Sequence, residues 1–299
     1  MGVHVLDVLV RPVESIPEGQ GAQLVEEIKI TAAGSAGGFA LVLARLGAEV
    51  RSAGASGSEP AGDMLLSLLE RDGVDTSLLL RRDDVQTSAS VLPIRPNGER
   101  PAFHVVGANG SYGVDDAPWD AIEDCTHLHI GGPEFMGGEA AAQILSRARA
   151  AGAVTSADIL ATGEPGLLDW IGPALPELDY LLPNDEQVLA LTGETHLVDG
   201  CRELVRRGAE CVVATRGAEG ALIVDADAEE AVPAFEVDVV DTTGCGDAFS
   251  AGFLRGLSLG RSRRDAALIG CAVAAEVAKG LGSDYGDYSL DTVLELVAT

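Results

Sequence analysis

The sequence VDTTGCGDAF at residues 240–249 joins a predicted strand end, residues 237–240, to a predicted helix at residues 248–259. Glycine allows the backbone to turn tightly and to approach a ligand closely. The amides of Gly244, Cys245 and Gly246 would then point outward at a helix N-terminus, where the helix dipole favours negative charge. Asp247 at the mouth of such an anion site suits a general base beside a phosphoryl group. Alternatively, Asp247 only caps the helix and the glycines only make the turn.

Composition limits the classes of protein to consider. The chain has 299 residues, of which 46% are hydrophobic, so it can bury a large core, and one α/β domain with a small attachment is expected. The formal charge of −27 argues against nucleic acid and acidic membranes as partners, and two lysines cannot form a lysine-rich anion cradle. Neither a membrane-spanning run nor a signal-peptide pattern occurs, so we expect a cytoplasmic protein with a small-molecule substrate.

Several common sites and motifs are missing from the sequence. The five cysteines are far apart, and their spacing fits neither a zinc site nor a disulfide framework. His127 and His129 share one face of a predicted strand without further ligands nearby, so core or surface histidines are favoured over a metal site. No Walker A motif, no G-x-G-x-x-G opening a first βαβ unit and no G-x-S-x-G motif occurs. P-loop enzymes, dehydrogenases and serine hydrolases therefore lose support.

The longer string DTTGCGDAFSAG, residues 241–252, closely resembles the C-terminal signature of the ribokinase-like (PfkB) family of carbohydrate and nucleoside kinases. The resemblance implies a three-layer α/β/α fold with a doubly wound, mostly parallel sheet and a small β-sheet lid. Strands and helices alternate from residue 126 onward, as such a sheet requires. Asn97-Gly98 is a strong hairpin signal. We expect residues 1–9, 32–86 and 109–299 to form the core, and residues 10–31 and 87–108 to form the lid. The alternative to a lid is an ordinary surface hairpin.

The resemblance also identifies residues for the acceptor. Asp7 matches the family's substrate-facing aspartate, with a loop or lid carboxylate as the alternative. The stretch AGSAGGFA, residues 33–40, resembles the N-terminal signature and includes Gly34 and Gly38. Gly38 stands where the family commonly has a substrate-binding asparagine, so one polar contact to a sugar is missing. Phe103 in the lid could stack on a nucleoside base, or it could only pack within the lid.

The remaining matches concern the nucleotide and cations. TRGAEG, residues 215–220, resembles the family's nucleotide loop. The resemblance implies nucleotide contacts for Thr215, Arg216, Gly217 and Gly220, and it implies that Gly282 borders the adenine. The alternative for residues 215–220 is a hairpin with a solvated Arg216. NDEQ, residues 184–187, resembles the family's N-x-x-E motif, which organises Mg²⁺ through water. The resemblance implies that Asn184, Glu186 and Gln187 bind Mg²⁺ through water, although Gln187 brings no charge. Asn184 also suits a helix cap. Asp241 and Thr243 match positions that supply ligands to a monovalent cation such as K⁺, or they fix the loop internally.

Together these features predict an ATP-dependent kinase that uses Mg²⁺ and phosphorylates a hydroxyl of a small sugar or sugar derivative. Asp247 would be the general base, and the Gly244–Gly246 amides would stabilise the transferring group. A nucleoside kinase of the same family and a non-catalytic descendant that binds a sugar or nucleotide are the alternatives. Exposed apolar faces of the lid strands would allow a homodimer through the lid.

Overall fold

The computed structural model describes residues 1–160 and 164–298. In chain order the strands are β1 (Val5–Arg11), β2 (Glu27–Ala33), β3 (Arg51–Gly57), β4 (Asp75–Arg82), β5 (Ala89–Pro93), β6 (Phe103–Val105), β7 (His127–Gly131), β8 (Val154–Asp158), β9 (Tyr180–Leu181), β10 (Cys211–Thr215), β11 (Ala221–Asp225) and β12 (Glu229–Val232). The α-helices are α1 (Ser35–Arg45), α2 (Pro60–Arg71), α3 (Trp119–Asp124), α4 (Pro133–Met136), α5 (Gly138–Ala150), α6 (Leu167–Ile171), α7 (Asp185–Thr192), α8 (Leu197–Arg206), α9 (Cys245–Ser258), α10 (Arg263–Val277) and α11 (Leu290–Val297). No helix in the described ranges is both long enough and apolar enough to span a membrane.

A six-stranded sheet in the order β12-β11-β10-β9-β8-β7 forms the centre of the core. Strands β7 to β10 are parallel, and β11 and β12 are antiparallel additions at one edge. Successive side chains of β10 point to opposite faces of the sheet. Cys211 and Val213 belong to the same hydrophobic cluster as α1, α9 and α10. Val212 and Ala214 belong to the cluster that includes α5 and α8. Both faces of the strand are therefore buried, which explains its continuous apolar sequence.

The first residues of the chain connect this sheet to a separate parallel pair, β3–β4. The amide of Gly2 donates to Ala53 of β3 (2.9 Å), and the amide of Gly131 in β7 donates to Met1 (2.9 Å). A cavity of about 450 Å³ lies between β3 and β7, with Phe39 and Leu128 among its lining residues. Strand β1, from Val5 onward, pairs within the small four-stranded sheet, although Leu6 packs in the main hydrophobic core. The core boundary expected at residue 9 stays a prediction.

The lid is a four-stranded sheet in the order β2-β1-β5-β6. Strand β1 pairs antiparallel with β2 and parallel with β5, and β5 and β6 form the hairpin predicted at Asn97-Gly98. Pairing aligns two rows of side chains on opposite faces of the sheet. One row consists of Thr31, Asp7, Ser90 and His104, and the other of Ile30, Val8, Val91 and Phe103. The polar row includes the buried Asp7, while Phe103 is 61% exposed on the other face.

The predicted elements around residues 240–249 are partly confirmed. Helix α9 begins at Cys245, three residues before the predicted start. The strand predicted at residues 237–240 is wrong, because these residues have no strand pairing. The amide of Val240 instead donates to the carbonyl of Ala278 (2.8 Å), just after α10. The loop before α9 is therefore held by a helix end rather than by a sheet.

Candidate active site

A left-handed glycine starts the central helix of the site. Gly244 caps α9 with φ 79°, and a Cβ built there would lie 2.1 Å from Ser283 Oγ, so only glycine fits. The amide of Cys245 donates to Thr242 O (3.2 Å), which commits it to the turn. Within residues 1–160 and 164–298, the amides of Gly244 and Gly246 donate to no protein acceptor. The structure thus leaves two of the three predicted amides free for an anion.

Asp247, the third residue of α9, is half-buried and faces helix α1. A Cβ built at Gly38 would lie 2.4 Å from Asp247 Oδ2 and 3.0 Å from Ser283 Oγ. Burial, followed by the charges of Asp158 and Asp7, raises the pKa of Asp247 well above its ordinary value. A raised pKa makes a carboxylate a stronger base. Gly38, predicted to lie near the acceptor, therefore also provides the space that the Asp247 carboxylate occupies.

Two further carboxylates share this site. Burial raises the pKa of Asp7, on β1, to about 6, and that of Asp158, the last residue of β8, to about 7. Asp158 was not predicted as a site residue, although the carboxyl end of a parallel strand is a position where ligands commonly bind.

Several buried polar atoms around these carboxylates have no protein partner. Within the part of the chain that the structure describes, they include Asp7 Oδ1, Asp158 Oδ1, Ser283 Oγ and His129 Nε2, while Ser35 Oγ lies close enough to Asp158 to lower the pKa of that carboxyl. Buried polar atoms are normally hydrogen-bonded, so a cluster of unpaired ones indicates a polar ligand. Ser35 and Ser283 were missed by sequence reasoning, since hydroxyl residues in glycine-rich loops carry no distinctive signal. Gly34 caps α1 immediately before Ser35, and its φ of 81° positions the start of that helix.

The lid contributes the polar row to the same side as Asp7. Ser90 Oγ lies 3.0 Å from His104 Nδ1, and burial lowers the pKa of His104, which favours the neutral imidazole at pH 7. Phe103 points the opposite way because neighbouring residues of a strand alternate between the faces. The predicted contact of Phe103 with the acceptor stays a prediction. His104, the next residue, lies on the same face as Asp7.

A second cavity, of about 760 Å³, adjoins the start of α9. Its lining includes Thr215, Gly217 and Gly220 from the predicted nucleotide loop, together with Cys245, Gly246, Phe249, Cys271, Ala274, Ala275 and Ala278. Apolar walls of small residues suit a flat base, and Gly246 places the free amide at one end. Gly282 does not line this cavity; with φ 75° it packs against Thr31 of the lid.

Arg216 does not face the second cavity either. Its guanidinium donates to the carboxylate of Glu219 (3.3 Å) and to the carbonyl oxygens of Glu219 (3.0 Å) and Ala221 (3.5 Å). These bonds fold the guanidinium back on its own loop. Arg216 is therefore not freely solvated, because these bonds support the loop conformation, and its predicted contact with a phosphate stays a prediction.

The residues predicted for Mg²⁺ are arranged as a helix cap. Asn184 Oδ1 accepts from the amide of Gln187, and Gln187 Oε1 accepts from the amide of Asn184, both at 2.8 Å. Gln187 Nε2 also donates to Ile159 O (2.5 Å), so both ends of the Gln187 carboxamide have a partner, while Glu186 is exposed. The described residues contain no group of three or more His, Cys, Asp and Glu side chains able to hold a metal ion. This arrangement fits a metal held mainly by water and phosphate oxygens, with few direct protein ligands.

The loop before α9 contains a further buried carboxylate, that of Asp241. Asp241 Oδ1 accepts from the amide (3.2 Å) and the hydroxyl (2.9 Å) of Thr243, while Asp241 Oδ2 is buried without a partner. Arg100, from the lid hairpin, donates to Thr243 Oγ1 (2.7 Å) and lies 3.4 Å from Asp241 Oδ1. Oxygen atoms of this kind suit a cation, and they also fix the loop internally. Arg100 was not predicted as a site residue.

Comparison with known proteins identifies the family. The pattern of the pfkB family carbohydrate kinases matches residues 4–287. The chain belongs to this family. An uncharacterized sugar kinase of Archaeoglobus fulgidus is 29% identical over 247 residues, which is 82% of this chain and 97% of that protein. An aminoimidazole riboside kinase of Salmonella typhimurium is 30% identical over 254 residues, covering 82% and 78%.

The fold is confirmed by solved structures. A putative ribokinase II from E. coli, solved in complex with ATP and Mg²⁺, has a TM-score of 0.87 at 22% identity and covers 99% of this chain and 97% of its own. The predicted α/β fold with a mostly parallel sheet and a separate small sheet is therefore the ribokinase fold. As a pfkB carbohydrate kinase, the protein is a phosphotransferase that acts on a sugar or a nucleoside.

Proposed function

We propose that this pfkB kinase transfers the terminal phosphoryl group of ATP to a hydroxyl of a small uncharged sugar or sugar derivative, with Asp247 as general base. The observation that carries the proposal is the position of Asp247, between free amides at the start of α9 and a cluster of unpaired buried polar atoms. The amides suit the transferring phosphoryl group, and the polar cluster suits acceptor hydroxyls. Asp7 and Asp158 would repel an anionic acceptor, which favours an uncharged one.

The reaction would be a direct displacement. Asp247 takes the proton of the acceptor hydroxyl while the acceptor oxygen forms a bond to the terminal phosphorus. The bond between that phosphorus and its bridging oxygen breaks, and ADP leaves with the electron pair. The amides of Gly244 and Gly246 stabilise the charge on the phosphoryl oxygens in the transition state. The lid sheet, including residues 5–11, covers the acceptor and excludes water.

The cations have defined positions in this proposal. Asn184 and Glu186 would hold waters of a Mg²⁺ ion, which would neutralise charge on the nucleotide phosphates. The unpaired Asp241 Oδ2, together with Thr243, would hold a monovalent cation such as K⁺ next to the anion site. Each role is supported by donor chemistry, and each remains a prediction until binding is measured.

A nucleoside is the second candidate acceptor. His104 ends the inward row of the lid, and its neutral imidazole ring would stack on a base. The Salmonella typhimurium relative is an aminoimidazole riboside kinase, so the family includes acceptors that carry a ring system. A nucleoside acceptor would require His104 in place of the predicted Phe103. Replacing His104 with Ala would then raise the KM for a nucleoside much more than the KM for a free sugar.

The proposal is tested by ADP release from ATP and Mg²⁺ across a panel of sugars and nucleosides. Asp265→Asn is a matched control for Asp247→Asn, because Asp265 is also the third residue of its helix but is exposed. We expect acceptor-dependent ADP release in the native protein and in Asp265→Asn, and loss of turnover by about 10²- to 10⁴-fold in Asp247→Asn with nucleotide binding retained. Normal turnover by Asp247→Asn would contradict the mechanism. ATP binding without turnover on any acceptor would favour the non-catalytic descendant.

The predicted homodimer through the lid stays a prediction. Ile28, Ile30, Val91 and Phe103 are large apolar residues exposed on the lid strands. A second copy of the lid would bury such a face. Light scattering measures the molar mass directly, and Phe103→Asp should shift a dimer to monomer without changing the fold.

A further inference from the structure

Arg100 joins the lid to the catalytic loop. It lies after the Asn97-Gly98 turn, 143 residues away in sequence from Thr243, yet its Nη1 donates to Thr243 Oγ1 at 2.7 Å. Thr243 directly precedes Gly244, whose free amide opens the anion site. The guanidinium therefore lies beside the place where the transferring phosphoryl group would bind.

The guanidinium has unused hydrogen-bonding capacity. An arginine has five N–H donors, and within the described ranges only Nη1 of Arg100 has acceptors, Thr243 Oγ1 and Asp241 Oδ1. The side chain is 37% exposed, so it is not locked in the protein interior. Its Nε and Nη2 atoms are available to a ligand, and guanidinium groups match phosphate oxygens well.

Arg100 also lies close enough to two carboxylates of the site to affect their pKa values. Its positive charge acts on both Asp7, on the acceptor side, and Asp247, the base, and lowers the pKa of each against the larger effect of burial. Arg216, the cation predicted for the nucleotide, donates through Nη1 and Nη2 to its own loop, while its buried Nε has no partner within the described residues. Arg100 supplies a second positive charge, from the lid.

We propose that Arg100 is a further catalytic residue, which donates from the lid to the oxygens of the terminal phosphate of the bound nucleotide. The inference rests on the proposed function. It explains why a lid residue contacts the loop beside the anion site, and it makes lid closure a condition for completing that site. Positive charge on the transferring phosphoryl group stabilises the transition state of phosphoryl transfer.

ATP and ADP differ by the terminal phosphate, so their binding isolates the contribution of Arg100 without a known acceptor. Dissociation constants for Mg²⁺-ATP and Mg²⁺-ADP are measured by calorimetry for the native protein, Arg100→Ala, Arg100→Lys and Arg95→Ala. Arg95 is the matched control, because it lies in the same hairpin and pairs with the exposed Glu99. We expect Arg100→Ala to weaken ATP ten- to a hundred-fold and ADP less than two-fold, Arg100→Lys to weaken ATP by a smaller factor, and Arg95→Ala to change neither.

Two results would overturn the proposal. Equal weakening of ATP and ADP by Arg100→Ala would assign the residue a structural role. No weakening of either nucleotide would remove the terminal-phosphate contact. If the native protein bound neither nucleotide, the proposed function would be contradicted as well. If the native protein bound ATP and Arg100→Ala bound ATP with the same affinity, only this inference would be contradicted. Guanidinium added to Arg100→Ala provides a second measurement, because partial recovery of ATP affinity is expected only for a direct contact.

Discussion

Replacing Gly38 with Ala should separate activity from stability. Gly38 lies in α1, where a Cβ atom would approach Asp247 Oδ2 to 2.4 Å and Asp247 Cγ to 3.1 Å. Ordinary van der Waals contact begins at about 3.4 Å, so the carboxylate would have to retreat by roughly 1 Å. A displacement of about 1 Å in a catalytic group can cost on the order of 10²-fold in rate.

The effect on stability should have the opposite sign. Gly38 is inside a helix, where Ala is more favourable than Gly by about 0.5–1 kcal/mol. The displaced atoms belong to the end of an aspartate side chain and to a serine hydroxyl, both of which can rotate away. We therefore expect Gly38→Ala to reduce kcat about 100-fold while the melting temperature stays constant or rises slightly.

Gly37→Ala is the matched control, since Gly37 is the preceding residue of the same helix. A Cβ there would meet the His4 ring at 3.5 Å, an ordinary contact, and would not approach Asp247. Steady-state kinetics on an acceptor found in the panel, together with thermal denaturation, measures both quantities for both variants. Native kcat in Gly38→Ala would refute the reasoning, because it would mean that the position of the Asp247 carboxylate is unimportant. A large loss of melting temperature would refute it as well.

Three other changes have outcomes that the structure specifies. Cys245→Ala should keep activity, because the thiol donates to the carbonyl of Ala274 (3.6 Å), away from the reacting groups; steady-state kinetics checks this. Asp7→Asn should stabilise the fold at pH 8 by about 2–3 kcal/mol while lowering activity, because burial raises the pKa of Asp7 to about 6 and ionisation of the buried group costs stability. Since only the unfolded state is ionised between about pH 4 and 6, the stabilisation should shrink as pH falls through that window, which urea unfolding at several pH values measures. Asp284→Asn should destabilise the protein by about 2 kcal/mol, because the buried carboxylate pairs with Lys29 of the lid at 2.7 Å. Burial opposes ionisation of Asp284, but the pairing with Lys29 favours ionisation and lowers the pKa of Asp284. The stabilisation is therefore present above the ordinary pKa of an aspartate and is lost as the pH falls below that pKa. Urea unfolding at pH 7 and pH 3 should show the difference.

The features that sequence reasoning did not place share one physical cause. Residues 237–240 have the valines of a strand, but no neighbouring strand pairs with them, and a strand forms only with a partner. Phe103 was assigned to the acceptor because aromatic residues stack on bases, yet its face of the lid depends on the pairing of Val91 with Phe103. A shift of one residue in that pairing would exchange the two faces. Such pairings join distant segments and cannot be obtained from local pattern.

The amino-acid sequence by itself determined the features that depend on neighbouring residues. The glycine turn, the helix that follows it, the Asn97-Gly98 hairpin and the alternation of strands and helices all follow from local backbone preferences, and they place Asp247 at a helix N-terminus. The full fold with its lid was implied by the resemblance of residues 241–252 to the family's signature. The tertiary structure decided which side chains surround that residue. Contact of Gly38 with Asp247, the grouping of Asp7 with Asp158, and the reach of Arg100 to Thr243 join segments separated by more than 100 residues. They depend on how the lid and the core pack together, which no local preference encodes.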